Sequence, residues 1–492
     1  MQFKPNLLSE SRCDQNTVPE KPINPTAEIE KLRMRTLQLE RDIVHLVRHD
    51  QLTGLMNRSA FVHDVDELIK QADYSTNKAA MIEINIRGLP RIAGSLGRHV
   101  GDYAVSALAA RLNVLIEGGS LCCRLDYWSF AVFIPKIVDP LEALTVAKHI
   151  MQSLGQPVDW VDRKLQLDVG AGVTLTSPGD HDAAGLLQNA GLAMRAATGR
   201  GGAGYGFYNP AMALAAKRRS DVLQALHDAI EFSYMSLHYQ PFFKTLSGDL
   251  MGFEALMRLN HPEFGSISPV EFIPVAEEAG LINKIGAWAL AEACSVAATW
   301  PSHLTVAVNI SPEQFYSGSL ITDVHNALEL SSFPAYRLEV EVTESTMLKD
   351  TEMVLQQLSS LRDMGCAIVL DDFGTGYSSL SYLWKFPFSK MKIDRSFMQA
   401  LASSPLVRGM LQSIIGLSRN LGLKITAEGI ETPDHVQVLR EFNCDYIQGY
   451  LTGRPTAKID IAAIILKNFA EQLRQSQEIE ALPNPKPYLM MR

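Results

Sequence analysis

Short apolar runs in the C-terminal half of the chain end, one after another, in an acid, an amide or a lysine. Helix-like patterns such as Glu271–Gly280 and Thr351–Met364 lie between most of these runs. A strand without polar alternation is buried on both faces, and strands that alternate with helices build a parallel sheet. Eight such runs predict a barrel with its chemistry at the carboxyl ends of the strands. The polar endings are Gln240, Glu254, Asn309, Glu341 with Glu344, Asp371 with Asp372, Lys392, Glu428 and Gln448.

Composition limits the classes of protein that fit. A chain of 492 residues predicts two or three domains, and 47% apolar with 20% charged residues suits a folded, soluble protein. The net charge of −9 argues against binding to duplex nucleic acid. The six cysteines show no paired metal-ligand spacing and are predicted to be buried free thiols. We find no candidate membrane segment and no secretion leader, so we expect a cytoplasmic location.

The N-terminal region divides into a leader and a helix. Residues 1–26 lack periodicity and indicate a flexible leader, whereas residues 27–48 carry apolar residues at the 3-4 spacing of an amphipathic helix. Two interpretations remain for this helix: it packs on its own domain, or it pairs with a second copy of the chain. Its apolar positions are Ile29, Leu32, Leu39, Ile43 and Leu46.

A different pattern begins near residue 49. Strand-like runs such as Met81–Ile86 and Phe130–Ile134 alternate with helix-like runs such as Val105–Ile116. This alternation predicts one α/β domain with an antiparallel or mixed sheet. The predicted boundaries are 49–210 for this domain, 211–224 for a helical linker, 225–470 for the barrel and 471–492 for a loose tail.

Six acids of the barrel region lie in otherwise apolar surroundings. Carboxylates that converge on one rim repel each other and cannot all stay ionised without cations. A set without cysteine that includes an amide favours Mg²⁺ or Mn²⁺ over zinc. The adjacent Asp371 and Asp372 are suited to bridging two such ions, as in phosphodiester hydrolysis. The six acids are Glu254, Glu341, Glu344, Asp371, Asp372 and Glu428.

Each of these groups also has an ordinary structural explanation. A single acid at a strand end is usually a helix cap or a solvated residue. Asn309, followed by Ser311 and Pro312, is compatible with a simple turn. Independent caps would not fall at the end of nearly every buried strand, so the joint pattern favours a site. Within it, Lys392 would hold the attacking water or neutralise charge in the transition state.

Seven short motifs follow one another through about residues 215–470. They are Phe253–Arg258, Val308–Ser311, Glu341–Glu344, Asp371–Gly376, Lys392–Asp394, Ala427–Gly429 and Gln448–Tyr450. In kind and order these motifs resemble the EAL family of cyclic di-GMP phosphodiesterases. The resemblance implies an α/β fold with a TIM-like (β/α)8 barrel in which one strand runs against the others. It also implies hydrolysis of cyclic di-GMP to the linear dinucleotide pGpG with two Mg²⁺ or Mn²⁺ ions.

The same resemblance implies a role for each matching residue. The ligands of one metal would be Glu254, Asn309, Glu341 and Asp371, and Asp371 would bridge to a second ion that Asp372 also binds. Lys392 and Glu428 would orient or deprotonate the attacking water, with the base undecided between them. Gln448 would lie near the metals, Gln240 and Arg258 would contact the substrate, and Glu344 would steady the loop after Asp372.

The upstream domain resembles a second family but departs from it at key positions. Asp50–Arg58 and the group Gly97, Gly101 and Asp102 are similar to motifs of GGDEF domains, the diguanylate cyclases. The signature itself is replaced by Asp126–Phe130, with Ser129 where the family has a metal-binding acid. Two further departures are Asn85 at the other metal-binding position and Ala93 at the guanine-contacting position. We therefore expect a degenerate cyclase-like domain without cyclase activity.

Two hypotheses for the whole chain come from different classes. The first is a metal-dependent cyclic di-GMP phosphodiesterase, and the alternative is a non-catalytic cyclic di-GMP receptor or scaffold. For the degenerate domain, a structural or dimerising role is the simpler reading, and GTP binding is the other. We also expect a homodimer formed through the N-terminal helix and the loop Phe373–Ser379.

Overall fold

The structure is a computed structural model that divides the chain into two compact units. The described residues are 25–71, 78–116, 119–176, 182–198, 204–347, 351–374, 383–401 and 403–480. The first unit is Met1–Ala216 and the second is Lys217–Arg492. Within the described part of the chain, no helix combines the length and the apolar character that a membrane crossing needs.

The first unit is a mixed sheet with helices packed against it, as the sequence predicts. Its sheet has the order β1-β3-β4-β2-β7-β8, in which β2 pairs antiparallel with β4 and with β7. The strands are β1 Met56–Asn57, β2 Lys78–Arg87, β3 Leu121–Arg124, β4 Ser129–Ile137, β5 Val158–Trp160, β6 Arg163–Leu165, β7 Asp168–Leu175 and β8 Gly204–Phe207. The helices are α1 Pro25–Arg48, α2 Arg58–Gln71, α3 Leu89–Leu96, α4 Arg98–Leu115, α5 Pro140–Leu154 and α6 Ala183–Thr198, followed by α7 Pro210–Phe232.

Helix α1 keeps its apolar residues on the surface. Ile29, Leu32, Leu39, Ile43 and Leu46 are each more than half exposed. An apolar row at 3-4 spacing that remains exposed is typical of a helix whose partner lies elsewhere. The interpretation that this helix buries its apolar face on its own domain is therefore wrong for the described residues.

The second unit is a closed eight-stranded barrel with helices around it. Its strands are β9 Met235–Lys244, β10 Leu250–His261, β11 Gly265–Ile267, β12 Thr305–Asn309, β13 Leu338–Thr343, β14 Ala367–Phe373, β15 Lys390–Ile393, β16 Lys424–Ala427, β17 Tyr446–Gln448 and β18 Thr456–Ala457. Its helices are α8 Pro269–Glu278, α9 Ile282–Ala297, α10 Pro312–Tyr316, α11 Leu320–Ser331, α12 Thr351–Asp363, α13 Arg395–Leu401, α14 Pro405–Asn420, α15 Pro433–Glu441 and α16 Ile461–Glu480. Strands β10 and β12 to β17 pair in parallel, and β9 closes the ring antiparallel to both β10 and β17. This confirms the barrel and its single reversed strand.

Two predicted strand endings are wrong. Gln240 lies in the middle of the ten-residue strand β9, and Glu254 lies in the first half of the twelve-residue strand β10. The pairing of β9 with β10 continues past Glu254 as far as Leu259, and β10 then turns back into β11. The hairpin thus extends beyond the barrel ring, so residues at the height of the rim lie inside these strands rather than at their ends.

The barrel interior holds charged residues in two layers. Glu339 and Glu341 are two residues apart on β13, and Lys390 and Lys392 are two apart on β15, so each strand points both residues to one face. In the layer near the strand starts, Lys390 Nζ donates to Glu339 Oε2 at 2.8 Å. The same ammonium lies 4.0 Å from the ring centre of Phe242, and the Thr305 hydroxyl donates to Glu339 Oε1 at 3.0 Å.

We predict that Lys390→Met lowers the free energy of unfolding by about 3–5 kcal/mol, because it leaves the Glu339 carboxylate buried without its counter-ion. The double variant Glu339→Gln/Lys390→Met recovers most of the loss, since it removes both charges. Urea unfolding followed by tryptophan fluorescence measures both effects. An unchanged unfolding midpoint for Lys390→Met would show that the pair contributes nothing to barrel stability.

Candidate active site

Carboxylates from four neighbouring positions of the barrel converge on one small volume. Glu254 on β10, Glu341 on β13 and Asp371 on β14 are all buried, and Glu428 directly follows β16. Two groups of acids each offer oxygens within 4.8 Å of one another: Glu254, Glu341 and Asp371 form the first, and Asp371, Asp372 and Glu428 form the second. Asp371 is common to both groups.

Lys392 lies at the centre of these acids and is 2% exposed. Its Nζ is 2.6 Å from Glu428 Oε1, 3.1 Å from Glu254 Oε2, 3.1 Å from Glu341 Oε2 and 3.4 Å from Asp371 Oδ1. One ammonium group thus touches four carboxylates on four different strands or strand ends. The strand register produces this convergence, because β15 lies between β14 and β16 in the ring.

Three amide side chains fix the orientation of Glu254. Asn309 Nδ2 donates to Glu254 Oε1 at 2.8 Å, and Gln448 Nε2 donates to Glu254 Oε2 at 2.6 Å. Gln240 lies directly opposite Glu254 in the β9–β10 pairing, and its Oε1 is 3.3 Å from Gln448 Nε2. Gln240 in turn donates to the carbonyl of Gly453 at 3.0 Å. The structure therefore places Gln240 behind Gln448, as part of the support of Glu254.

Burial and mutual repulsion shift the titration of the acids. Burial raises the pKa of Glu428 to about 8, although Lys392 opposes the shift, and burial with the nearby Asp371 raises the pKa of Asp372 to about 6. Burial also raises the pKa of Glu341 well above its usual range, with Lys392 again opposing. Burial alone would raise the pKa of Glu254 as well, but Lys392, Gln448 and Asn309 bring it below the ordinary value.

These shifts mean that one lysine does not compensate the whole set of acids. Five carboxylates share a site in which the described residues supply a single ammonium. Hard divalent ions with oxygen ligands would restore the balance, and the donors present, carboxylates and an amide, are those that Mg²⁺ and Mn²⁺ prefer. The residues thus fit the ions that the sequence predicts.

The remaining predicted residues lie around this centre. Asp372 has a left-handed backbone with φ of 54°, and its N–H donates to Asp371 Oδ1 at 2.9 Å. Positive φ is uncommon outside glycine, although aspartate is one of the residues that adopt it most readily. Asp371 and Asp372 both belong to the second group of acids although they are consecutive on β14. Glu344 begins the 3-10 turn that follows β13, and Arg258 lies four residues beyond Glu254, where its guanidinium donates to the Met257 carbonyl. Most of the loop Phe373–Ser379 lies outside the described residues.

A supporting group near Asn309 was missed by the sequence analysis. Ser311 caps α10 in a reciprocal bond with Gln314, and its hydroxyl donates to Glu277 Oε1 of α8 at 2.6 Å. The Ser-Pro-Glu-Gln order after Ile310 is a capping-box signal that could have revealed the first contact. The contact with Glu277 joins residues 34 apart and has no local sequence signal. Glu277, Asn309 and Gln314 all line one cavity of about 330 Å³.

The corresponding region of the first unit is filled by its own side chains. Tyr127 donates its hydroxyl to Asp102 Oδ1 at 2.6 Å, and the Ser129 hydroxyl donates to Asp126 Oδ2 at 3.1 Å. Asn85 Nδ2 donates to Ser129 Oγ at 3.2 Å, so an amide and a hydroxyl face each other where the family has metal-binding acids. The bulky Tyr127 ring packs edge-on against Trp128 at 4.4 Å between ring centres.

Comparison with known proteins gives two domain families in sequence. Residues 47–203 match the diguanylate cyclase, GGDEF domain family, and residues 223–455 match the EAL domain family. The bifunctional diguanylate cyclase/cyclic di-GMP phosphodiesterase MucR of Pseudomonas aeruginosa is 36% identical over 423 residues, which are 84% of this chain and 61% of MucR. The cyclic di-GMP phosphodiesterase NbdA of the same organism is 32% identical over 435 residues, 87% of this chain and 55% of NbdA.

A solved structure described as the PaMucR phosphodiesterase in complex with c-di-GMP is 42% identical. It covers 49% of this chain and 99% of its own, with a TM-score of 0.48. The chain spans less than two thirds of the length of either curated relative. The two matched regions follow each other without overlap and together include most of the chain. The chain therefore belongs to the tandem GGDEF–EAL family.

Proposed function

We propose that the barrel hydrolyses cyclic di-GMP to the linear dinucleotide pGpG with the help of two divalent ions. The observation that carries the proposal is the convergence of five predicted acids and two predicted amides around the ammonium of Lys392: Glu254, Glu341, Asp371, Asp372 and Glu428, with Asn309 and Gln448. The similarity to proteins named as cyclic di-GMP phosphodiesterases supports the choice of substrate. The alternative, a receptor without turnover, would not require all of these acids.

Two ions would be held by the two groups of acids already described. One ion would be held by Glu254, Glu341 and Asp371 together with the amide oxygen of Asn309. The other would be held by Asp371 and Asp372. When bound, such ions lower the pKa of water and stabilise charge on the attacking and leaving oxygens of a phosphodiester. Because the ligands come from β10, β12, β13 and β14, the barrel fixes their spacing before the substrate arrives.

Among the four acids around Lys392, Glu428 is best placed to accept the proton of the attacking water. Its side chain is 19% exposed, against 10% for Asp371, 8% for Glu254 and 1% for Glu341. Water therefore reaches Glu428 Oε1 more readily than the other carboxylates. Lys392 donates to the same oxygen and holds it in position. Arg258 supplies a half-buried positive charge near the rim for a phosphate of the substrate.

The first unit is proposed to be inactive as a cyclase. Active chemistry there would need carboxylates for metal, but Asn85 and Ser129 hold each other by a hydrogen bond. Asp102, the acid that survives from the family pattern, accepts the Tyr127 hydroxyl. A nucleotide would have to break this bond and displace the Tyr127 ring, which disfavours GTP binding. The structural or dimerising role is thus the better supported one, and a cytoplasmic location stays a prediction.

We predict that Glu254→Gln lowers the turnover of cyclic di-GMP by about a thousandfold, since losing several kcal/mol of charge stabilisation costs a factor of ten for each 1.36 kcal/mol. The matched control is Glu263→Gln, an exposed acid in the turn between β10 and β11 that should keep full activity. Chromatography of the nucleotides, with Mg²⁺ and with Mn²⁺, measures the rate. If the unaltered protein binds cyclic di-GMP with neither ion supporting turnover, the receptor alternative replaces this proposal.

We predict that no cyclic di-GMP is formed from GTP and Mg²⁺. The assay uses the Glu254→Gln chain, because an active barrel would destroy the product and hide a slow cyclase. A control reaction with added cyclic di-GMP shows that the product survives under these conditions. Accumulation of cyclic di-GMP above the level without protein would contradict the assignment of the first unit.

We also propose that α1 pairs with α1 of a second copy, because its apolar row is exposed along its length. Introducing a charge by Leu39→Glu should shift the sedimentation of the purified chain from dimer to monomer at micromolar concentration. Arg41→Glu, on the exposed helix but outside the apolar row, is the control and should leave the dimer intact. A monomer for the unaltered chain would remove the proposal.

A further inference from the structure

Lys392 touches the acids that one metal ion would need. Its Nζ lies within 3.4 Å of Glu254, Glu341 and Asp371, which are all the members of the first group of acids. Metal–oxygen bonds of Mg²⁺ are about 2.1 Å long and require lone pairs of these same carboxylates. The ammonium of Lys392 and a metal ion therefore compete for these three carboxylates, since the negative charge of the carboxylates attracts both.

The charges of the site allow the lysine to remain when the ions bind. Five ionised carboxylates carry five negative charges, and one ammonium with two divalent ions carries five positive charges. Expelling Lys392 would leave the loaded site unbalanced, and its side chain is only 2% exposed. The lysine must then change partners within the barrel.

Strand β16 supplies the second set of partners. Lys392 pairs with Thr426 in the register of β15 and β16, so the two side chains point to the same face of the sheet. Thr426 is 1% exposed, and its hydroxyl has no hydrogen-bond partner among the described residues. A buried hydroxyl without a partner costs free energy, so its presence needs an explanation. Glu428, two residues further on, already makes the shortest contact with Lys392 Nζ, at 2.6 Å.

We propose that Lys392 is a resident counter-ion with two positions. Without metal it bridges Glu254, Glu341 and Asp371 and keeps these repelling ligands in place. When metal binds, it gives up the three acids, keeps Glu428 and donates to the Thr426 hydroxyl. This inference rests on the metal-dependent function proposed above, and it assigns to Thr426 the role of a positioning residue that receives the displaced ammonium.

The test measures Mn²⁺ binding by calorimetry on the full chain after treatment with chelator, together with thermal unfolding with and without Mn²⁺. Lys392→Met should unfold at a lower temperature without metal yet bind Mn²⁺ about tenfold or more tightly, because the competing cation is gone. Lys392→Arg keeps the charge and should not gain affinity. If Lys392→Met does not fold without metal, its unfolding temperature as a function of Mn²⁺ concentration gives the same affinity.

Thr426→Val should do the opposite, weakening Mn²⁺ binding by several-fold while the chain without metal unfolds at the same or a higher temperature, since a buried hydroxyl without a partner is removed. Adding it to Lys392→Met should have no further effect, since the hydroxyl then has no ammonium to receive. Lys390→Met is the matched control: it removes a buried, paired lysine two residues earlier on the same strand and should not change the affinity for Mn²⁺.

The outcomes separate this inference from the proposed function. If the unaltered chain binds Mn²⁺ and Lys392→Met binds it equally or less tightly, the counter-ion role is overturned while the metal site stands. If Thr426→Val binds Mn²⁺ as the unaltered chain does, the second position of the lysine is overturned. If the unaltered chain binds no Mn²⁺ or Mg²⁺, the proposed function fails first.

Discussion

The structure of the barrel depends on bringing like charges together in a place that excludes water. Glu254, Glu341 and Asp371 are each less than a tenth exposed and lie within hydrogen-bond reach of one ammonium, that of Lys392. Carboxylates buried in this way are costly unless cations accompany them. The cluster therefore destabilises the fold through the repulsion of its buried carboxylates. Small positive ions would reduce this repulsion, so the same cluster determines which ligands fit.

The barrel topology holds the repelling carboxylates in place. Each charged residue of the cluster stands on a different strand or strand end, so the ring of hydrogen bonds holds the acids against their mutual repulsion. The reversed strand β9 contributes Gln240, which faces Glu254 across the strand pair and supports Gln448. Below the cluster, the pair of Lys390 and Glu339 forms a separate layer of the barrel interior in which the charges balance.

The sequence predicts much of the barrel and of its cluster of acids, for physical reasons. Buried parallel strands lack polar alternation, so the polar residues that end or interrupt them are conspicuous, and Asp371, Lys392 and Glu428 were found in this way. The sequence also predicts Gln240 and Glu254 as site residues but misplaces them at strand ends, because a hairpin that extends beyond the barrel ring has no local sequence signal. The contact between Ser311 and Glu277, and the unpartnered hydroxyl of Thr426, depend on packing between distant segments and are visible only in three dimensions.

The two units differ in how they treat the same kind of site. In the first, Asn85 donates to Ser129 and Tyr127 donates to Asp102, whereas in the second five acids share one lysine.

Turnover of cyclic di-GMP in ¹⁸O-labelled water, followed by mass spectrometry, tests the central claim most directly. The account predicts linear dinucleotide with a single ¹⁸O atom in its new terminal phosphate. Cyclic di-GMP recovered unchanged in the presence of Mg²⁺ or Mn²⁺, or linear product without the label, would contradict it.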